Sequence, residues 1–159
     1  MMARMPHPSC WKKSAREMLA AGRKAFARAD VLIMAAAVAD WRPARALGGK
    51  WRAKDGGANC VTLALVRNPD ILATLAARKG RRIVCGFALE TGAGEARARG
   101  KLARKGLDCI VLNYASALNA ARTRCVLLDR DGGRIVLAGS KQSVARAIVA
   151  RLSATASRS

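Results

Sequence analysis

Val31, Leu32, Ile33 and Met34 form a continuous apolar run of strand length, and Ala35, Ala36 and Ala37 follow it directly. A strand apolar on both faces needs cover on both, which a parallel sheet flanked by helices provides. No other feature narrows the architecture as much. The alanines leave little side chain at the strand's carboxyl end, where ligands settle in open α/β sheets. Asp40, Trp41 and Pro43 come next. That end therefore reads as a floor of small residues with a polar rim.

The flanking segments agree with an α/β chain. Ser14 begins a helix whose capping box is completed by Glu17, with Met18, Leu19, Ala25 and Phe26 at helical spacing. Residues 1–13 fit no periodicity. Residues 41–49 read as a loop. Residues 50–54 and 61–66 predict a hairpin about Asp55-Gly56-Gly57, supported by the alternation of Val61, Leu63 and Leu65. Asn68 is expected to cap a helix with Pro69 in its first position, Asp70 at the positive end of the dipole, and Gly80 as its stop. Residues 83–87 and 109–112 predict two more buried strands, separated by a basic helix over 95–105 that Gly106 closes. Residues 113–123 read as an irregular loop. A second hairpin turns on Asp131-Gly132-Gly133, with strands at 125–128 and 134–137. A last helix spans 140–152 with Val144, Ala147, Ile148 and Leu152 inward, and residues 153–159 are expected to be a disordered tail. The sum is one α/β domain over 14–152: a three-layer α/β/α sandwich whose mainly parallel sheet has an antiparallel hairpin at one edge.

Composition sorts the functional classes. No apolar run approaches the ~18 residues of a membrane span. The first residues carry charge without an apolar stretch behind them, so they are not a secretory signal. Cys10, Cys60, Cys85, Cys109 and Cys125 are odd in number and lack any C-x-x-C, which suits free thiols in a reducing cytoplasm. His7 has no assigned role. The net charge of +20 suits an anionic partner. The thirty Lys and Arg are scattered along the chain and aromatics are only 4%, so stacking platforms for nucleic acid are scarce. A nucleic-acid-binding module is the rival reading; it predicts tight binding with a steep salt slope. A dinucleotide oxidoreductase is disfavoured, because Gly92-x-Gly94 stands alone without a full G-x-G-x-x-G.

Several stretches taken together carry a family resemblance. AAAVADWRP (35–43), Lys50-x3-Lys54, LVRNPDIL (65–72), GFALET (86–91), KLARKGLDCIVLN (101–113), LLDRDG (127–132) and a last helix starting at Ser140-Lys141 occur in order. Linked motifs are far more specific than any one alone. Over about residues 14–152 the chain resembles phosphopantothenate–cysteine ligase, the carboxyl-terminal synthetase half of the bifunctional coenzyme A biosynthesis flavoprotein. The resemblance implies a Rossmann-like fold. It implies CTP as co-substrate, Mg²⁺, phosphopantothenate and cysteine as substrates, a cytoplasmic homodimer, and FMN only on the separate decarboxylase half. It also implies a reaction. The phosphopantothenate carboxylate attacks the α-phosphate of CTP, and the cysteine amine then displaces CMP from the acyl-cytidylate.

The resemblance assigns residues to the CTP site. Ala35, Ala36, Ala37 and Asp40 match its floor and rim. Lys50 matches a catalytic lysine on a flap that closes over the acyl-nucleotide, where a compact charge would stabilise an oxyanion. Pro69, Asp70, Ile71 and Leu72 match the turn against the base; Asp70 would repel phosphate, which favours a neutral pyrimidine edge there. Phe87 matches a pocket-lining residue. Lys101 and Lys105, spaced i, i+4 on one helix face, match a pair that reaches the triphosphate. No metal ligands are assigned. The family's earlier βαβ unit, with a Gly-rich phosphate loop and a catalytic asparagine, has no counterpart here. The loop over 115–124 reads ASALNAARTR, without the family's Phe-Gly. The chain is thus expected to be a partial domain that binds CTP weakly and turns over little alone; a fragment keeping only the fold is a further alternative.

Overall fold

A computed structural model describes residues 14–45, 62–92, 94–114 and 123–157. Along the chain these form α1 (Ala15–Phe26), β1 (Val31–Met34), β2 (Trp41–Pro43), β3 (Leu65–Arg67), α2 (Ile71–Ala76) and β4 (Ile83–Glu90). Then come α3 (Gly94–Lys105), β5 (Cys109–Tyr114), β6 (Thr123–Asp129), β7 (Arg134–Gly139) and α4 (Lys141–Ala156). The main sheet has the order β1-β4-β5-β6-β7. β1, β4 and β5 run parallel, and β6 and β7 add an antiparallel edge. Residues of α1, α2 and α3 pack on one face, in a cluster with Val84, Ile110, Leu112 and Leu128. Val144, Ile148 and Leu152 of α4 cover the other, over Cys85, Val111 and Leu127. This is the expected Rossmann-like three-layer sandwich.

The central strands are the most deeply buried elements. Val84, Ile110, Leu112 and Leu128 are each 0% exposed, and a side chain of that size contributes about 1.5–3 kcal/mol by leaving water. Cys85 and Cys109 are Cα partners across β4 and β5, and with Cys125 they are buried free thiols. A hydrogen bond with Cys85, followed by burial, pushes the Cys109 thiol up. Burial alone does the same for Cys125. All three pack in the cluster covered by α4.

Gly86 sets how close α2 comes to the sheet. A Cβ there would lie 2.8 Å from Leu72 Cδ2 and 2.9 Å from Leu107 Cδ1. The absent side chain is the space into which Leu72 fits, and Leu72 opens the helix that borders the site.

The amino end of the sheet is closed by a charged clip. Asp108 has a side chain only 10% exposed. Its Oδ2 accepts from the Val84 N–H at 2.8 Å, and its Oδ1 accepts from Lys79 Nζ at 2.6 Å and Arg130 Nη1 at 3.1 Å. Arg82 donates from Nη1 to the Phe26 carbonyl at 2.7 Å and stacks its guanidinium 4.7 Å from the Phe26 ring. Three connections and the end of α1 are thereby tied together.

Several local expectations are corrected. β1 is not fully buried: β4 is its only strand neighbour among the described residues, and Ile33 is exposed. Trp41–Pro43, read as loop, is a strand antiparallel to Leu65–Arg67, because the two segments turn their backbone groups on each other. The alternation at Leu63 and Leu65 marks no buried face, since both are exposed; the hairpin about Asp55-Gly56-Gly57 lies outside the described residues. Asp70, not Asn68, caps α2, its Oδ1 accepting from the Ala73 N–H at 3.0 Å, and Pro69 precedes the helix. α2 ends at Ala76, ahead of Gly80. α4 continues to Ala156, so Ser153–Ala156 are helical, and Ser157 Oγ donates to the Ser153 carbonyl. The second hairpin is present. Asp129 Oδ1 accepts from the N–H groups of Asp131 and Gly133, and Gly132 takes φ +93°, where a side chain would be strained.

Candidate functional site

Three exposed alanines follow β1. With no side chain to fill it, the space above them stays open. A cavity of about 530 Å³ lies between this stretch, the first turn of α2 and the second half of α3. Ala36, Ala37 and Asp40 line it from the β1 side. Pro69, Asp70, Ile71 and Leu72 line it from the turn into α2, and Phe87 from β4. Lys101, Arg104 and Lys105 line it from α3. Ala35 faces instead a second cavity of about 660 Å³, toward α4, which Ala36, Ala37 and Phe87 also border. The rest of that second wall is mainly apolar, including Val111, Val144 and Ile148, with Lys141 and Asn113 among its polar members. Of the residues singled out from the sequence, the structure brings all to these two hollows except Lys50, which lies outside the described residues.

Charge in the first cavity is unbalanced. Lys105 Nζ pairs with Asp70 Oδ2 at 2.8 Å. Burial pushes the Asp70 carboxyl up, but the Lys105 hydrogen bond, the Ala73 N–H and the charges of Lys105 and Arg104 outweigh it, leaving the group below its ordinary value. Asp70 is therefore a neutralised carboxylate rather than a repulsive one. Lys101 and Arg104 form no ion pair among the described residues. With Arg67, which is in no ion pair among the described residues either, three unpaired cations face a hollow whose one other acid, Asp40, is also unpaired among them. Such a surplus suits a ligand with several negative charges.

Arg104, Arg67 and Asn68 are polar lining residues that had no site role in the sequence reading, Trp41 belongs to the expected rim, and Met34, Val38 and Ala39 complete the wall. Arg104 stands i+3 from Lys101, so helical spacing could have found it. Trp41, Arg67 and Asn68 reach the cavity only through the pairing of β2 with β3. Arg67 places its guanidinium 5.3 Å from the centre of the Trp41 ring, and Trp41 remains 51% exposed. Among the described residues no group of three or more His, Cys, Asp or Glu is placed to hold a metal ion. No helix among them is long and apolar enough to cross a membrane.

Fold and site define the class: a Rossmann-like domain with a cationic crevice at the carboxyl end of its parallel strands. Comparison with known proteins narrows it. Residues 10–155 match the DNA/pantothenate metabolism flavoprotein C-terminal domain, and the chain belongs to that family. It is 42% identical over 108 residues to the coenzyme A biosynthesis bifunctional protein CoaBC of Bacillus subtilis (strain 168), a match covering 68% of this chain and 26% of that protein. It superimposes with a TM-score of 0.74 on the crystal structure of the C-terminal domain of a CoaBC protein, at 30% identity over 93% of this chain and 65% of the other. A Cab2 mutant in complex with phosphopantothenate-cysteine shares the fold, with a TM-score of 0.64 at 16% identity over 91% of this chain and 51% of that one. The chain spans about a quarter of the length of the Bacillus protein.

Proposed function

We propose that this chain is the nucleotide-binding part of a CTP-dependent phosphopantothenate–cysteine ligase. The observation carrying the reading is the single 530 Å³ cavity in which the alanine floor, Asp40, the 69–72 turn, Phe87 and the α3 cations meet. In the proposed reaction a carboxylate attacks the α-phosphorus of CTP and pyrophosphate leaves. The cysteine amine then attacks the acyl carbon and expels CMP. Bringing a carboxylate to a triphosphate sets two anions together, so cations must offset the charge that builds on the transferring group. Lys101 and Arg104 take that part, with Lys105 shared between Asp70 and the ligand. Pro69 to Leu72 and Phe87 form the wall against the pyrimidine. Magnesium bound by the phosphates would meet Asp40, one carboxylate being enough where substrate oxygens and water complete the shell, and would neutralise phosphate charge. Lys50 is assigned, on family resemblance, to the oxyanion formed when cysteine attacks. The exposed side chains of Trp41, Leu65 and Val66 offer a surface for a proposed cytoplasmic homodimer. FMN belongs to the other half of the bifunctional relatives, and no step here draws on it.

Calorimetric titration with CTP and Mg²⁺ tests the reading. Weak, saturable binding that survives moderate salt is expected, with little pyrophosphate release when phosphopantothenate and cysteine are added. Absence of CTP binding at millimolar concentration overturns it. DNA or RNA binding with a steep salt dependence in place of CTP binding would favour the nucleic-acid alternative.

A further inference from the structure

Asn68 makes bonds that neither capping nor the cation row explains. Its backbone N–H donates to the Asp40 carbonyl at 2.8 Å. Its Nδ2 donates to the Ala39 carbonyl at 2.8 Å, and its Oδ1 accepts from Arg42 Nη1 at 3.1 Å. That same Arg42 nitrogen donates to the Arg67 carbonyl. The amide orientation is settled by its partners, because exchanging oxygen and nitrogen would set donor against donor and acceptor against acceptor. One short side chain thus joins two stretches nearly thirty residues apart, each bordering the same cavity.

We infer that Asn68 is a positioning residue: its carboxamide holds the Asp40 turn at a set distance from the Pro69–Asp70 turn and so fixes the width of the cavity. The fastening stands on geometry alone; the nucleotide as occupant rests on the function proposed above. The site demands asparagine. Alanine supplies neither bond. Aspartate keeps an acceptor for Arg42 but sets a carboxylate oxygen against the Ala39 carbonyl. Aspartate also preserves shape, so it reports on the lost donor rather than on a lost volume.

The test uses the full chain and its Asn68→Ala and Asn68→Asp variants. Amide hydrogen exchange is followed without nucleotide, and CTP affinity is measured by calorimetry. In both variants peptides covering residues 38–43 should exchange faster, with exchange in β5 unchanged. CTP affinity should fall roughly tenfold, the size expected when one or two such bonds go and leave carbonyls unmet. Wild-type exchange at 38–43 in both variants overturns the fastening. Faster exchange with unchanged CTP affinity overturns the claim that it sets the cavity width. Lower affinity with wild-type exchange also overturns it and makes Asn68 a direct ligand contact. If the parent chain binds no CTP, the exchange result still decides the fastening, and the nucleotide reading alone has failed.

Discussion

The two ends of the parallel sheet treat charge in opposite ways. At the amino end, Asp108 is almost fully enclosed and both its oxygens are engaged, by two cations and a backbone N–H. At the carboxyl end, four cations share a hollow with one paired and one unpaired acid. The side chains at the amino end answer one another, and that end stabilises. Those at the carboxyl end leave charge unanswered, and that end is built for something that arrives from outside. Position in the sheet tells the two roles apart better than residue type, since lysine, arginine and aspartate occur at both.

Asp108→Ala should produce the largest effect and the sharpest division between the ends. It strands Lys79 and the Val84 N–H, and removing one partner of a buried charge cluster costs about 3–5 kcal/mol. Urea denaturation should show that loss, while CTP affinity of the folded fraction stays unchanged; a loss of affinity without a loss of stability would break the comparison. Ala36→Leu should do the reverse. It places a branched side chain on the floor of both cavities, and CTP affinity should drop about a hundredfold in calorimetry because the space is taken. Its unfolding midpoint should hold, since Ala36 is exposed.

Lys101→Ala comes next, with CTP affinity lowered about tenfold, the value of one charge-assisted contact, and stability changed by no more than ~0.5 kcal/mol. The smallest effect belongs to Asp70→Asn. The Asp70 carboxyl lies below its ordinary value of 3.8 in the folded chain. Its contribution is therefore present above that pH and is lost as pH falls through the folded value. The pair with Lys105 leaves Asp70 half exposed, which limits the contribution to under ~1 kcal/mol. Denaturation at pH 7 should separate variant from parent slightly, and at pH 2–3 the gap should close. A gap that widens in acid would reverse the sign assigned to Lys105.

What could be read in advance follows from how local the physics is. Unbroken apolar runs at 83–87 and 109–112 placed β4 and β5, though β4 continues through buried Ala88 and exposed Leu89 to Glu90, and β5 through half-buried Asn113 to Tyr114. Ser14 caps α1 as its spacing suggests, accepting from the Glu17 N–H, and Ser140 does the same for α4 from the Ser143 N–H. The pairing of β2 with β3 was hidden, because three-residue strands far apart in sequence carry no period, and one of them contains a proline. That pairing also moved Asn68 off its expected cap. Its amide found a carbonyl in a distant segment, and Asp70, two residues on, took the helix. The alanines after β1 and Lys101 and Lys105 of α3 were legible through resemblance, whereas Arg104 was not assigned and Arg67 and Asn68 needed the tertiary contact.

Phe87 belongs to both hollows. One aromatic ring is therefore a shared partition, and a guest on either side presses on the boundary of its neighbour. Compounds seated on both sides at once would each meet that ring, so filling one compartment is expected to change the affinity of the other, and Phe87→Ala to weaken that link.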